Sequence, residues 1–504
     1  MKTADKKSLG IRKRNLESRL KRDGDLRARD YNLDYEVSSR VQGTAHGGVA
    51  AMMELARATG LADAIDANVA VLNEHRPYKE SDHVLALAAS VLAGGTCPED
   101  LRRLRQDPQF LDSIGMKRIP DSTTAGDFLR RFETADDLEA LMRACLETTE
   151  HVLSAQLPEQ ERRLGIIDGD GTIVPTGAEC MEGIDYCGYK QTWGYAPLLI
   201  SLANTSQPLC IVNRPGNASS AHEAAKYFDM AAESMLRVYD RVLLRGDTDF
   251  SQSRYLDGWH DTGRIDFVFG FDACKALVSR AQALDDGAWR ELKRPARYDV
   301  KTRPREKPER IKQKIVEQRG YRTLHTEREH IAEFDYQPGA CERAYRMVVV
   351  RKEIKVTEGQ LELMPEIRYF FYITNLRLLP AKEIVFHANC RCNQENLIAQ
   401  LKCPVYALSP ASNTLVSNWA WMLCASLAWT LKSWYALFVR DAAERKRVAG
   451  MEFRTFANRF IAIPVQIVRT ARRTILRILG GHLPSLSIFV DAWTDIHRLS
   501  RIRA

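Results

Sequence analysis

The sequence predicts an α/β protein whose mixed core is split by a β-rich insertion and flanked by helical regions at both ends. Three observations carry that expectation. Between residues 156 and 272, short apolar runs alternate with one long helix-patterned segment. Residues 273 to 365 turn basic and then strand-like, before the core resumes over 366 to 405 with a helix-spaced segment around Glu395. Residues 1 to 155 and 406 to 504 read as helical, and both regions are rich in Lys and Arg.

The first region opens on a basic arm: residues 1 to 30 hold eleven Lys or Arg, among them Arg12-Lys13-Arg14 and Lys21-Arg22. Ser81 is placed to cap an apolar segment from Asp82 to Ala93 that stops at Gly94-Gly95, and Ser122 or Thr123 opens a helix through Arg131. Beside Arg102, Arg103 and Arg105, two such helices suit a nucleic-acid-binding domain. They suit a plain helical bundle equally, since no full helix-turn-helix spacing is visible.

The core strands are expected at Leu164 to Ile167, Tyr195 to Ala203, Leu209 to Arg214, Arg241 to Leu244 and Asp266 to Phe271. A helix from Ser220 to Tyr239 lies between the third and fourth, with Ser220 and Glu223 spaced as a capping box. Three meandering strands followed by alternating helices and strands is ribonuclease-H-like topology. It brings the ends of the first and fourth strands together.

In the insertion, Lys301 to Lys314 holds seven cations against Glu306 and Glu309, and strand patterning follows through Met347 to Val350 and Ile367 to Ile373. Trp289 is its sole Trp, a residue expected to pack into the core. Beyond the insertion, Cys403 to Leu431 is uncharged and contains Trp419, Trp421 and Trp429. Pro404 and Pro410 interrupt it, leaving about sixteen helical residues where a membrane span needs about 20. A buried core helix is expected, then a last basic helix with Arg472-Arg473 and Arg477.

Chemistry concentrates at three places. Leu164 to Ile167 leads into Asp168-Gly169-Asp170-Gly171-Thr172, and Val242 to Leu244 leads into Arg245-Gly246-Asp247-Thr248-Asp249. Far downstream, Glu395 follows Arg391 by four residues and precedes Lys402 by seven, so all three share one helical face. Two strand-end carboxylates and a helical glutamate flanked by cations suit metal-assisted phosphoryl transfer on a polyanion. Magnesium and manganese prefer carboxylate oxygens, and two ions roughly 3.5 to 4 Å apart hold the attacking and leaving oxygens of a phosphodiester. Arg391 and Lys402, roughly 6 and 10.5 Å along the axis from Glu395, would clamp phosphates on either side.

Here the chain resembles the DDE transposases of bacterial insertion sequences. Their signature sets Tyr, two residues, Arg, three residues, Glu, six residues and Lys around the third acid, and Arg391, Glu395 and Lys402 match it. Ala388 stands in the Tyr position, with His387 and Phe386 as neighbouring substitutes. The family's first acid stands two residues before a Thr, which selects Asp170 ahead of Thr172. Its second follows a strand in the pattern Arg-Gly-Asp-Ser/Thr-x-Phe, which selects Asp247, followed by Thr248 and Phe250. Similarity extends to Arg214-Pro215-Gly216-Asn217, Thr374-Asn375-Leu376 and Gly47-Gly48, covering most of the chain from about residue 40.

The resemblance implies a DNA transposase that cleaves the ends of its insertion sequence and joins them to target DNA by two-metal phosphoryl transfer. Asp170, Asp247 and Glu395 would be catalytic and bind two Mg2+ or Mn2+ ions, and Arg391 and Lys402 would bind DNA phosphates. Asp168 faces the same side of its strand as Asp170, either as an auxiliary ligand or as a hydrogen-bond partner; Asp249 reads as a turn residue. The partners implied are double-stranded DNA, as transposon ends and target, and a second copy of the chain in a homodimeric DNA complex. The family's insertion helps hold the DNA end and can stack an unpaired base on an aromatic side chain.

A rival uses the same residues: Asp168-x-Asp170-Gly171-Thr172 is also the first motif of haloacid-dehalogenase-like phosphatases, with Asp168 as nucleophile. Its position deep in the chain and Ser251, where a second late Asp is required, count against it. A catalytically silent DNA-binding relative is a further alternative, which the intact acids oppose. A net charge of +8 with 27% charged residues favours phosphate-bearing partners. Eleven cysteines without a Cys-x-x-Cys pair point to reduced thiols without zinc. The basic N-terminus lacks an apolar segment, so no signal peptide and no membrane are expected, and a bacterial cytoplasmic, nucleoid-associated location follows.

Overall fold

The structure, a computed structural model of the chain, describes residues 42–75, 77–294, 322–358, 361–390, 392–470, 473–480 and 485–503. Residues Gly43–Ala504 form one compact unit. Its centre is a nine-stranded sheet made of β1 (Leu164–Gly171), β2 (Leu198–Leu202), β3 (Gln207–Val212), β4 (Arg241–Gly246), β5 (Ile265–Phe271), β6 (Arg290–Glu291), β7 (Arg322–Tyr336), β8 (Tyr345–Glu358) and β9 (Leu361–Thr374). The spatial order is β6-β7-β8-β9-β5-β4-β1-β2-β3. β3, β2 and β1 pair antiparallel, whereas β1, β4 and β5 run parallel. That is the ribonuclease-H-like order expected from the sequence.

The strands are apolar on both faces because helices cover both. On β4, Val242 and Leu244 join the main core, which includes Phe228 of α6 (Ala224–Met235). Leu243 between them joins a second cluster with Ile384 and Val385 of α8 (Ala381–Asn389). Close approach of α6 requires Gly169, where an added Cβ would lie 2.3 Å from the Phe228 ring. By alternation, Asp168 and Asp170 therefore face the side of α8 and α9 (Cys392–Lys402).

Several expected boundaries shift for local reasons. The core helix begins at Ala224, because Glu223 takes a left-handed φ of 55° and the preceding residues form turns. No capping box forms at Ser220. Asp121, one residue before the expected caps, opens α4 (Ser122–Arg130) by accepting from the Thr124 amide. Lys79 precedes α3 (Glu80–Leu92), whose Asp82 carboxylate accepts the Lys79 amide, so Ser81 lies inside the first turn. Tyr195 leaves the central sheet to join a small sheet of Val174–Pro175, Asp185–Cys187 and Thr192–Tyr195.

The strands β6 to β9 that follow β5 continue the core sheet. β9 pairs with β5 from Phe371 opposite Phe271 to Thr374 opposite Val268. Asn375, just past β9, locks that junction by accepting from the Phe267 amide and donating to the Ile265 carbonyl, both at 3.0 Å. Trp289 is half-buried, with the Arg351 guanidinium 4.5 Å from its ring centroid. The basic segment Lys301 to Lys314 lies outside the described residues.

α10 (Leu415–Leu437) is the expected buried helix, and every residue from Ser417 to Leu437 is buried. A helix apolar all round belongs in an interior. It packs on β3 and on α1 (Gly47–Thr59), α3, α4 and α5 (Ala135–Gln156). Trp419 and Trp429 donate their indole N–H to the carbonyls of Ile211 and Ser206. Among the described residues no helix is long and apolar enough to cross a membrane.

The expected last basic helix is corrected. Val465–Arg469 and Thr474–Ile478 form a β-hairpin, and both runs are rich in β-branched residues, which favour strands. Arg477 lies on its second strand, Arg473 precedes that strand, and Arg472 lies outside the described residues. The helix that follows, α12 (Leu486–Arg503), packs on α1. An added Cβ at Gly48 would lie 1.8 Å from the Phe460 carbonyl oxygen, so only glycine lets α1 touch the C-terminal region.

Candidate active site

β1 is longer than its apolar run and carries both Asp168 and Asp170 within the ladder, opposite Ser201 and Leu199 of β2. β4 stops at Gly246, and Asp247 caps the following turn by accepting from the Asp249 amide at 3.1 Å. Two glycines shape that turn. A Cβ at Gly246 would strike Phe250 at 2.6 Å, and one at Gly270 of β5 would lie 2.9 Å from the Thr248 nitrogen. The second acid is therefore fixed against the neighbouring strand.

Glu395 reaches the same place from the far end of the chain. Leu397, Ile398 and Leu401 bury one side of α9, whereas Glu395 is exposed. Gln394 anchors the helix across β1 and β2: its Nε2 donates to the carbonyls of Asp168 at 2.9 Å and Leu199 at 3.0 Å. Asp170, Asp247, Glu395 and Lys402 thus line one cavity of about 880 Å3. Tyr186, Tyr189 and Lys190 of the small sheet and its turn form another part of the wall.

The cations divide differently. Lys402 is half-buried and donates from Nζ to the Ile173 carbonyl at 2.7 Å. Burial pushes its ammonium below the usual lysine range, Lys190 adds to the fall, and Asp170 opposes it. Arg391 lies outside the described residues. At the missing-tyrosine position, Ala388 and Phe386 pack against the second core cluster, and neither they nor His387 is part of the cavity wall. Burial and Arg245 lower the His387 pKa, with Glu383 opposing.

Asp168 is not at the cavity. It is 1% exposed, and the 3% exposed Arg245 binds it through Nε at 2.6 Å and Nη2 at 2.8 Å. Parallel pairing sets Asp168 directly beside Arg245, whose Nη1 also donates to the His387 carbonyl at 3.0 Å. Asp168 is therefore a hydrogen-bond partner of Arg245 and does not line the cavity wall. Sequence reasoning missed Arg245 as its partner and gave Gln394 no role. The signal available was a charged residue inside an apolar run, legible only once parallel register is known.

Carboxylate oxygens are the donors that hard divalent cations prefer. Among the described residues, however, no three His, Cys, Asp or Glu side chains are clustered closely enough to hold a metal ion. The acids share a cavity wall.

A ribonuclease-H-like sheet with an acid-lined cavity at the ends of β1 and β4 defines the class. A family model described as Transposase DDE domain group 1 matches residues 36–501, and the chain belongs to that DDE transposase family. Among solved structures it is similar to a piggyBac transposase, in a synaptic complex with hairpin DNA. The identity is 10%, over 84% of this chain and 83% of that one, with a TM-score of 0.35. No curated protein matches the chain.

Proposed function

We propose that the chain is a DNA transposase that cleaves the ends of its own insertion sequence and joins them to target DNA. One observation carries this reading: Asp170, Asp247 and Glu395, distant in the chain, line a single cavity. They would hold two divalent ions, Mg2+ or Mn2+. Such a pair activates water or a 3′ hydroxyl as nucleophile and neutralises charge on the phosphate.

The chain's own residues do the rest. Gln394 fixes Glu395 relative to Asp170 by bonding to the strand that carries it. Lys402, which lines the cavity, neutralises phosphate charge, and Arg391 of the matched signature would do the same. Two ends must be processed together, so the DNA-bound form is a homodimer. Asp168 cannot serve as a phosphatase nucleophile, because both its oxygens are bound to Arg245.

The test uses purified protein and a duplex carrying the element's own end. Nicking is expected only with Mg2+ or Mn2+, and Glu395→Gln and Asp247→Asn should abolish it while DNA binding persists. Nicking by both variants at wild-type rate sinks the reading. Phosphatase activity on small esters that depends on Asp168 would replace it.

A further inference from the structure

Arg214 follows β3 and is 3% exposed, yet it lines the acid cavity. Most of its guanidinium is committed to the backbone. Nε donates to the Ala196 carbonyl at 2.9 Å, and Nη1 donates to the carbonyls of Ser220 at 3.1 Å and His222 at 2.8 Å. Nη2 is buried without a hydrogen-bond partner. It faces the residue after Asp170, since an added Cβ at Gly171 would lie 3.6 Å from it.

A buried donor nitrogen left unpaired is costly, so Nη2 calls for an acceptor that the chain itself does not supply. A guanidinium repels cations and has no acceptor, so its missing partner carries acceptor oxygens. Burial lowers the Arg214 pKa to about 10, opposed by Glu223, which still leaves it protonated at neutral pH. Three carbonyls already fix the fork, so binding through Nη2 costs little side-chain entropy. Lys402 differs, because its Nζ must leave the Ile173 carbonyl before it binds elsewhere.

We propose that Nη2 of Arg214 binds a non-bridging oxygen of a DNA phosphate inside the acid cavity. The assignment rests on the transposase reading and adds a phosphate-binding residue to it.

The experiment is a cycle between protein and DNA variants. Wild type, Arg214→Gln and Arg214→Lys are measured for affinity, salt dependence and cutting on end duplexes that carry single neutral methylphosphonates around the cut. Arg214→Gln should bind about tenfold or more weakly, with a salt slope smaller by about one. One methylphosphonate should weaken wild type by a similar factor and leave Arg214→Gln unaffected. A purely structural role predicts the opposite, with Arg214→Gln keeping the wild-type slope and full sensitivity at every position, and that result overturns the proposal. If neither variant folds, a structure of wild type with its DNA end decides: Nη2 within hydrogen-bond distance of a phosphate oxygen supports the assignment, and Nη2 out of reach of all of them overturns it. A wild type that neither binds nor cuts its end overturns the transposase reading itself.

Discussion

Two carboxylates two residues apart on β1 lead opposite lives. Asp168 is sealed inside the sheet, matched oxygen for nitrogen by Arg245, whereas Asp170 lines a cavity with Asp247 and Glu395. Both lie on the same face of the strand, so alternation cannot tell them apart. What separates them is the neighbouring strand. Parallel pairing sets Arg245 beside Asp168, and β4 ends one residue later, which leaves Asp170 paired with β2 alone and beyond the last position paired with β4. An internal counter-charge makes a carboxylate structural, and the end of the ladder makes one available for chemistry.

The largest effects test the cavity side of this comparison. Asp247→Asn and Glu395→Gln should lower DNA nicking by at least about 10³-fold, since a metal ligand supports several kcal/mol of transition-state stabilisation. Unfolding midpoints in denaturant should stay near wild type. A variant that loses its fold first would erase the distinction between the two carboxylates.

The sealed side should respond in the reverse order. Arg245→Met leaves the Asp168 charge buried and alone, and should cost about 3 to 5 kcal/mol in denaturant unfolding. The double variant Asp168→Leu with Arg245→Met should recover most of that loss. Equal unfolding curves for wild type and Arg245→Met would show that the pair carries no structural weight.

A third buried charge sharpens the rule. Lys432 on α10 is fully buried, with Nζ donating to the Ala449 carbonyl at 2.8 Å and lying 4.0 Å from the centroid of the Trp429 ring. Burial pushes its pKa down to about 7. The unfolded chain holds that proton up to about pH 10, so it binds more protons than the folded chain between pH 7 and 10, and stability should rise with pH across that window. Lys432→Met should flatten this rise and stabilise the fold at pH 7 by about 1 to 3 kcal/mol, read from thermal unfolding across pH.

The smallest effect joins the two sides. Gln394→Leu removes two bonds between the glutamate helix and the strands β1 and β2, and should slow nicking about tenfold with DNA affinity unchanged. An unchanged nicking rate would mean that α9 is held by Leu397, Ile398 and Leu401 alone.

How much of this was legible follows from the range of each interaction. The strand order could be read because apolar runs and turn residues are local signals, and the acids could be read because they end those runs. The glutamate helix was visible through spacing at Glu395 and Lys402. The Asp168–Arg245 pair was not, because it depends on register between strands 77 residues apart in sequence. The hairpin of Val465–Arg469 and Thr474–Ile478 was misread as a basic helix, since Arg473 and Arg477 stand four residues apart, as on one helical face. The β5–β9 junction was hidden in Asn375, whose side chain replaces a missing ladder partner.

Gly48 against Phe460, and α1 against α12, join segments that lie far apart in the sequence. Until the C-terminal segment folds back, the part of α1 that faces α12 therefore lacks its cover, although α3, α5 and α10 pack on other parts of the helix. A chain cut short of α12 would leave that part of α1 uncovered, which invites aggregation or proteolysis.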